Sequence, residues 1–359
     1  MKKQSLSYVL GACALGAIIA ACAPGLKQGD QPPMKGAAKS AKSAESYLST
    51  TTNINDYLRP LSVPVPPDNL TTPARVDLGK ALFFDPRLSG SNWISCTTCH
   101  NPAMGWSDGL PTAIGNGMKV LGRSTPTILN TGYQKFQFWD GRAKTLEEQA
   151  LGPIEAEGEM GAKIEDLLKK LDAIPGYVEM FNHAYPGEGI TKVTLAKAIA
   201  SFERTVVAGN APFDRWVHGD EQAVSESAKR GFALFESKAR CALCHQGFNF
   251  SDNGFHNIGL QGNTDLGRGA KVPVRVLKGA FKTPTLRDVS LTRPYMHNGA
   301  YATLQEVVEH YNRGGDEKES LDPNMQPLNL SAQEKADLVE FLKSLTSAQV
   351  AFSVPQLPN

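Results

Sequence analysis

Apolar residues recur at helical spacing in segments that are separated by loops rich in glycine and proline. Spacings of three and four residues predict helices near 75–84, 145–151, 162–172, 175–185, 191–208, 222–237, 303–312 and 331–346. Thr145 and Thr303 each stand three residues before a glutamate, which is the pattern of an N-terminal capping box. No series of alternating apolar and polar residues indicates a sheet. The chain is therefore predicted to be mostly α-helical.

Two halves of the sequence are similar to each other at an offset of 158 residues. The segment Thr125-Pro126-Thr127 recurs as Thr283-Pro284-Thr285. The segment 138–148 is similar to 295–306, which aligns Trp139 with His297. The chain is therefore interpreted as two divergent copies of one module, and the differences between the copies suggest different roles.

The N-terminus has the features of an export signal. Two lysines precede an apolar stretch, 6–21, that is shorter than the ~20 residues a membrane-spanning helix needs. The sequence Ile19-Ala20-Ala21-Cys22 resembles a bacterial lipobox, which predicts removal of residues 1–21 and a lipid on Cys22. Ordinary signal cleavage beside an incidental Cys22 is the alternative. Because Ala23 rather than aspartate follows, we expect an outer-membrane lipoprotein that faces the periplasm.

Composition limits the function classes. The 37 basic and 36 acidic residues give a net charge of +1, which argues against a nucleic-acid partner. The hydrophobic fraction of 41% excludes wholesale disorder, and 359 residues suggest two domains with a tail. Residues 22–56 are small and polar and are predicted to form a flexible tether. No later segment is predicted to cross a membrane.

Four of the six cysteines form two copies of a C-x-x-C-H motif. The first contains Cys96, Cys99 and His100, and the second contains Cys241, Cys244 and His245. This pattern attaches c-type haem through two thioethers, and its histidine binds the iron. A zinc site would place its cysteine pairs roughly 15–20 residues apart, and a thioredoxin-like motif would need a βαβ pattern. The motifs therefore predict two covalent haems, called haem 1 and haem 2 in chain order.

The sequence around these motifs resembles the bacterial dihaem cytochrome c peroxidase family, including its MauG branch. The similarity covers roughly 75–346. It rests on L-G-x-x-L-F-x-D-P-R-L-S at 78–89, F-W-D-G-R-A at 138–143, T-P-T-L-R-D at 283–288 and P-Y-M-H-N-G at 294–299. The resemblance implies two cytochrome c-like haem domains with long connecting loops. We predict a peroxidatic domain at 57–215, an electron-transfer domain at 216–346 and a tail at 347–359.

The resemblance also implies roles for residues at haem 1. Glu159 would carry a proton between the oxygens of peroxide, and Gln149 would orient them. From the sequence alone, Glu159 could equally be a solvated loop acid. Asn116 stands where many family members carry a histidine that binds haem 1, which implies a five-coordinate haem. Trp139 would lie between the haems and carry an electron or hole, or would simply be a core residue.

Chemistry alone leaves the distal ligand of haem 2 open. The candidates are His256, Met296, His297, His310, Tyr311 and Met325. The resemblance selects Tyr311, which lies 14 residues after His297, where the MauG branch has tyrosine and ordinary peroxidases have methionine. It also implies a Ca²⁺ ion between the haems. Its ligands would be Ser124, Thr292 and Pro294, with serine in place of the family's asparagine.

Three functions are compatible with these residues. In the first, haem 1 reduces hydrogen peroxide with electrons that reach it through haem 2 from a small cytochrome c or a cupredoxin. In the second, favoured by Tyr311 and Asn116, a MauG-like enzyme oxidises Trp or Tyr residues of a periplasmic partner protein. Ala239 stands where MauG carries a tryptophan, which argues against maturation of methylamine dehydrogenase. The third, a non-catalytic electron carrier, would not need the pair Gln149 and Glu159.

Overall fold

The computed structural model describes residues 53–348 and 352–359. The predicted signal peptide, the lipidated cysteine and most of the predicted tether lie outside these residues. The helices are α1 (Pro73–Phe84), α2 (Cys96–Cys99), α3 (Leu146–Glu155), α4 (Ile164–Asp172), α5 (Pro175–Ala184), α6 (Lys192–Glu203), α7 (Pro212–Val217), α8 (Glu226–Glu236), α9 (Leu304–Arg313) and α10 (Ala332–Ser344). Two short antiparallel strands, β1 (Phe255–His256) and β2 (Phe281–Lys282), pair with each other. Within the described ranges, no helix has the length and apolarity that a bilayer crossing requires.

The helix starts follow the capping residues seen in the sequence. The hydroxyl of Thr145 accepts a hydrogen bond from the backbone N–H of Glu148, and Thr303 and Glu306 form a complete capping box. Helix α3 runs four residues further than predicted, through Pro153, although a proline cannot donate to the carbonyl four residues earlier. Helix α6 ends at Glu203, five residues before the predicted end. Loops and short 3₁₀ turns fill much of the remaining chain, as predicted.

Each module is built on two helices whose backbones touch at a glycine. A Cβ atom on Gly79 of α1 would lie 1.9 Å from the carbonyl oxygen of Ala198 in α6. A Cβ atom on Gly231 of α8 would lie 2.0 Å from the carbonyl oxygen of Asp337 in α10. Only glycine permits this close approach. The sequence repeat thus appears in the structure as the same helix crossing in both modules.

The first folded residues belong to the second module. Tyr57 is only 4% exposed and packs its ring against Phe213 and Phe232, while its hydroxyl donates to Glu236. Helix α7 also packs into this second core, through Phe213 and Trp216. The boundary predicted at 215/216 therefore divides a helix whose aromatic face belongs entirely to the second module. Ile54, assigned to the tether from the sequence, and Tyr57, assigned to the first domain, also pack there.

The C-terminal tail packs on the first module. The ring of Phe352 stacks on Phe84, with centroids 5.2 Å apart and an interplanar angle of 8°. The carbonyl oxygen of Pro358 accepts a hydrogen bond from Arg87, and that of Asn359 accepts one from the N–H of Gly176. The two ends of the described chain thus cross over. The N-terminal residues pack on the second module, and the C-terminal tail packs on the first.

Candidate functional site

A continuous cavity of about 660 Å³ is lined by residues of both modules. The four cysteines and two histidines of the C-x-x-C-H motifs all line it. No disulfide joins the four motif cysteines. The cavity therefore joins the two predicted haem sites, and each has its pair of thiols at the wall.

Both motif histidines are oriented as iron ligands. Nδ1 of His100 lies 3.2 Å from the carbonyl oxygen of Trp106, and Nδ1 of His245 lies 2.8 Å from that of Phe250. Because a carbonyl can only accept, Nδ1 carries the proton and Nε2 keeps its lone pair for the metal. Burial lowers the pKa of His100 and lowers that of His245 to about 4, which favours the neutral form of both rings.

A buried ammonium group also fits a haem site. Lys282 is 7% exposed, and its Nζ donates to the amide oxygen of Gln134 at 2.8 Å. Burial lowers the pKa of Lys282 to about 8, and no carboxylate among the described residues contributes to this shift. A buried cation of this kind needs an anion beside it. Haem propionates are such anions, so the thiols, the neutral histidines and Lys282 together fit two haems.

Glu159 and Gln149 both line the cavity in the first module. Gln149 lies in α3, and Glu159 lies in the turn that follows this helix. That turn is held against α3, because Ala162 donates its N–H to the carbonyl of Ile154 at 2.8 Å. Burial raises the pKa of the Glu159 carboxyl, and the positive charge of Arg142 partly opposes this shift. Both residues therefore line the cavity in the first module, and their catalytic roles stay predictions.

Asn116 contacts the turn that contains Glu159 and does not line the cavity. Its backbone N–H donates to the carbonyl of Glu159 at 2.8 Å, and its side chain is not part of the cavity wall. Beside it, a Cβ atom on Gly115 would lie 1.9 Å from the carbonyl oxygen of Gly158. The segment is therefore closely packed and presents no imidazole to haem 1. The five-coordinate state of haem 1 stays a prediction.

Hydrogen bonds remove two histidines from the candidates for the distal position of haem 2. In His310, Nδ1 accepts from the hydroxyl of Tyr301 at 3.0 Å and Nε2 donates to the carbonyl of Ile258 at 2.9 Å. In His256, the two ring nitrogens face Asp322 at 2.6 Å and Asp252 at 2.9 Å. With both nitrogens engaged, neither ring can bind iron without losing these partners.

Tyr311 faces the cavity from α9. Its side chain forms part of the cavity wall, and its nearest ionisable neighbours include the thiols of Cys241 and Cys244. Burial raises the pKa of its hydroxyl. Met296, His297 and Met325 line the same cavity. The ring of His297 stacks on Phe281 with centroids 3.6 Å apart. The geometry is therefore compatible with the predicted tyrosine ligand, which stays a prediction.

Trp139 lies where the two modules meet. Its indole Nε1 donates to the carbonyl of Ser124 at 2.8 Å, and its own carbonyl accepts from the N–H of Lys282 at 2.8 Å. The N–H of Ser124 donates to the carbonyl of His297 at 2.7 Å. Since Ser124 aligns with Lys282 and Trp139 with His297 in the repeat, these backbone bonds are reciprocal. They fix the contact between the modules beside Trp139.

The three predicted calcium ligands line the same cavity. They are Ser124, Thr292 and Pro294. The carbonyl of Ser124 already accepts from Trp139, and the hydroxyl of Thr292 donates to the carbonyl of Val289 at 3.2 Å. All three residues thus belong to the wall of one cavity, but part of their hydrogen-bonding capacity is used within the protein. Calcium binding stays a prediction.

Lys282 and Glu203 are among the ionisable groups of the cavity wall that sequence analysis missed. Glu203 is 4% exposed, its Oε2 is buried without a hydrogen-bond partner, and burial raises its pKa to about 8. A residue-by-residue comparison of the two modules could have indicated Lys282. At the offset of 158, Lys282 takes the place of Ser124, which replaces a small polar side chain with a cation.

Family comparison gives matches on both modules. The family described as di-haem cytochrome c peroxidase matches residues 73–222, and the cytochrome c family matches residues 228–346. The methylamine utilization protein MauG of Methylorubrum extorquens is 50% identical over 307 residues, which cover 84% of this chain and 86% of that protein.

Two further proteins are similar over most of their length. The cytochrome-c peroxidase IdrP1 of Pseudomonas sp. strain SCT is 37% identical over 360 residues, which cover 89% of this chain and 94% of that protein. The crystal structure of a MauG-like protein associated with microbial copper homeostasis matches with a TM-score of 0.75 and 31% identity. This match covers 81% of this chain and 94% of that one.

Proposed function

Because this chain belongs to the di-haem cytochrome c peroxidase family, we propose that it reacts with hydrogen peroxide at haem 1 and exchanges electrons through haem 2. The observation that carries this proposal is the pair Gln149 and Glu159 in the cavity wall beside the first motif. Cys96, Cys99 and His100 would hold haem 1, and Cys241, Cys244 and His245 would hold haem 2. An electron carrier without catalysis would gain nothing from a proton-accepting carboxyl and an orienting amide at one haem.

The first module provides what peroxide cleavage needs from a protein. Haem 1, when bound, would supply the iron chemistry of O–O cleavage. Glu159 would accept the proton from one peroxide oxygen and return it to the other, which would then leave as water. The amide of Gln149 would donate a hydrogen bond that orients the peroxide. Apolar side chains of the cavity wall, which include Leu146 and Ile199, would limit the access of bulk water to the proton transfer.

We propose Tyr311 as the distal ligand of haem 2. An anionic oxygen ligand favours oxidised iron and would lower the potential of haem 2. Replacing Tyr311 by phenylalanine is therefore expected to change the low-spin spectrum of haem 2 and to raise its potential. The measurement is EPR of the ferric dihaem protein together with spectroelectrochemistry.

Tyr301→Phe is the matched control for this substitution. Tyr301 is also a tyrosine near α9, but its hydroxyl contacts His310 and it does not line the cavity. An unchanged low-spin signal in Tyr311→Phe would place the ligand elsewhere, with Met296 and Met325 as the next residues to replace. A change of equal size in both variants would point to a general disturbance of α9.

The source of the electrons separates two forms of this function. Peroxidases take them from a small redox protein, whereas a MauG-like enzyme takes them from Trp or Tyr side chains of a partner protein. Relatives of both names are similar to this chain. The tyrosine at position 311 favours the MauG-like form, and Ala239 argues against methylamine dehydrogenase as its partner.

One experiment compares the two forms directly. We expect added hydrogen peroxide to drive rapid steady-state oxidation of reduced cytochrome c or of a reduced cupredoxin by the dihaem protein. Mass spectrometry of co-expressed periplasmic proteins is the parallel measurement. Slow turnover of both donors, together with oxygen addition or hydrogen loss on a partner's aromatic residues, would contradict the peroxidase form and favour the MauG-like form.

We also propose that the protein acts in the periplasm, anchored to the outer membrane by a lipid on Cys22. The lipobox-like sequence at 19–22 and the need to attach c-type haem outside the cytoplasm support this location. A Ca²⁺ ion near Ser124, Thr292 and Pro294 is proposed on the family resemblance and on the meeting of these residues at one cavity.

A further inference from the structure

Helices α6 and α10 occupy equivalent places in the two modules, and the glycine crossings give the register between them. A Cβ atom on Gly79 would touch Ala198 and Phe202, whereas one on Gly231 would touch Asp337 and Phe341. The next residue in α6 is Glu203, and the next residue in α10 is Leu342. Both line the cavity. A carboxyl therefore faces the haem 1 region at the position where a leucine faces the haem 2 region.

The carboxyl of Glu203 is not required for packing, since the second module fills the same position with the apolar side chain of Leu342. Glu203 is 4% exposed and Leu342 is 8% exposed. The buried Oε2 of Glu203 has no hydrogen-bond partner among the described residues. Burial of an unpaired carboxyl opposes folding. Glu203 lowers stability at a position that the second module fills with leucine. We therefore expect Glu203 to have a function there.

Glu203 faces the point where haem 1 is attached. Burial, together with the charge of Glu203, raises the pKa of the Cys96 thiol, which would become a haem thioether. The charged groups that act on Glu203 are Arg204 beside it and Glu147 of α3. These two pair with each other, since Arg204 donates to Glu147 at 3.0 Å. Helix α1, packed on the other side, presents Phe83 to the cavity. The carboxyl thus has no counter-ion of its own in the described part of the chain.

We propose that Glu203 is a proton-accepting neighbour of haem 1, which takes up one proton when haem 1 is reduced and releases it when haem 1 is oxidised. A one-electron reductant such as reduced cytochrome c supplies the electron, and water supplies the proton that converts the carboxylate to the neutral acid. Reduction removes one positive charge from the haem, which makes a buried carboxylate beside it less favourable. Leu342 gives haem 2 no such group. The inference does not depend on which substrate the protein oxidises.

The test is the pH dependence of the two haem potentials in the dihaem protein. Spectroelectrochemistry from about pH 6 to about pH 9 spans the ionisation of a buried carboxyl. In the parent protein, the potential of haem 1 is expected to fall as the pH rises, because ionised Glu203 favours oxidised iron. Glu203→Gln and Glu203→Leu are expected to lose this fall at haem 1. The potential of haem 2 is expected to be the same in all proteins.

Glu179→Gln is the matched control, since it removes an exposed acid from α5 of the same module. It is expected to keep the parent profile. An unchanged pH profile of haem 1 in both Glu203 variants would overturn the proposal, and so would an equal loss at both haems. Glu203→Leu copies the second module and is expected to retain both haems. Loss of haem 1 from this variant would overturn the equivalence with Leu342 on which the inference rests.

Discussion

Replacing Glu159 by glutamine is expected to slow the reaction of the dihaem protein with hydrogen peroxide by about 10²–10⁴-fold. Glutamine keeps the size of the side chain but cannot accept a proton. Because burial raises the pKa of Glu159, its base form is lost at a higher pH than that of an ordinary glutamate. The parent rate should therefore fall as the pH drops through this raised value, and the variant should lack the fall. Stopped-flow absorbance of the haems is the measurement.

Glu157→Gln is the control for this substitution. Glu157 lies two residues earlier in the same turn and is exposed, so its replacement removes the same charge from the loop without changing the cavity wall. A parent-like rate in Glu159→Gln would show that another group moves the proton. Equal losses in both variants would show that the loop charge, not the proton transfer, is responsible.

Replacing Gly79 by alanine is expected to destabilise the first module by about 3 kcal/mol, near the upper end of overpacking effects. The added Cβ would lie 1.9 Å from a backbone carbonyl oxygen of Ala198, which cannot rotate away. Within a helix, alanine is by itself about 1 kcal/mol more favourable than glycine. A loss of stability in Gly79→Ala would therefore reflect the crossing contact, whereas a gain would reflect helix propensity. The measurement is chemical unfolding followed by circular dichroism, with the haem content determined in parallel.

Asp77→Ala is the control on the same helix. Asp77 is exposed in α1, so an alanine there tests helix propensity without the crossing. We expect it to be neutral or slightly stabilising. A Gly79→Ala protein as stable as the parent would mean that the α1–α6 crossing can open without cost. The same comparison applies to Gly231 of α8, whose Cβ would meet Asp337 at 2.0 Å.

Crossed termini and reciprocal backbone bonds hold the two modules together. Tyr57 packs into the second core, and Phe352 packs on the first. Beside Trp139, each module donates a backbone N–H to the other. Electron transfer between two haems depends on a fixed separation, and these contacts keep the two parts of the cavity in one arrangement. An architecture of two independent domains on a linker would not provide this constraint.

Much of the site could be predicted from the sequence, because its chemistry lies in short motifs. The spacing within each C-x-x-C-H motif is local, so the haem attachment residues did not need a fold. Helices α3 and α9 also begin where the sequence predicts, directly after Thr145 and Thr303, since a cap is formed by the chain on itself. Helix α8, predicted from 222, begins only at Glu226. The family resemblance supplied Gln149, Glu159 and Tyr311, and the structure places all three in the cavity wall.

The sequence by itself thus determined the two haem motifs, the repeat and the helical fold class, all of which depend on residues close in the chain. Only the tertiary structure decided which module each terminus covers, because Tyr57 and Phe352 meet aromatic partners far away in sequence. It also decided that His310 and His256 are occupied by other partners. The unpaired carboxyl of Glu203 was also recognised only in the tertiary structure, because the role of a buried charge depends on the groups that packing places around it.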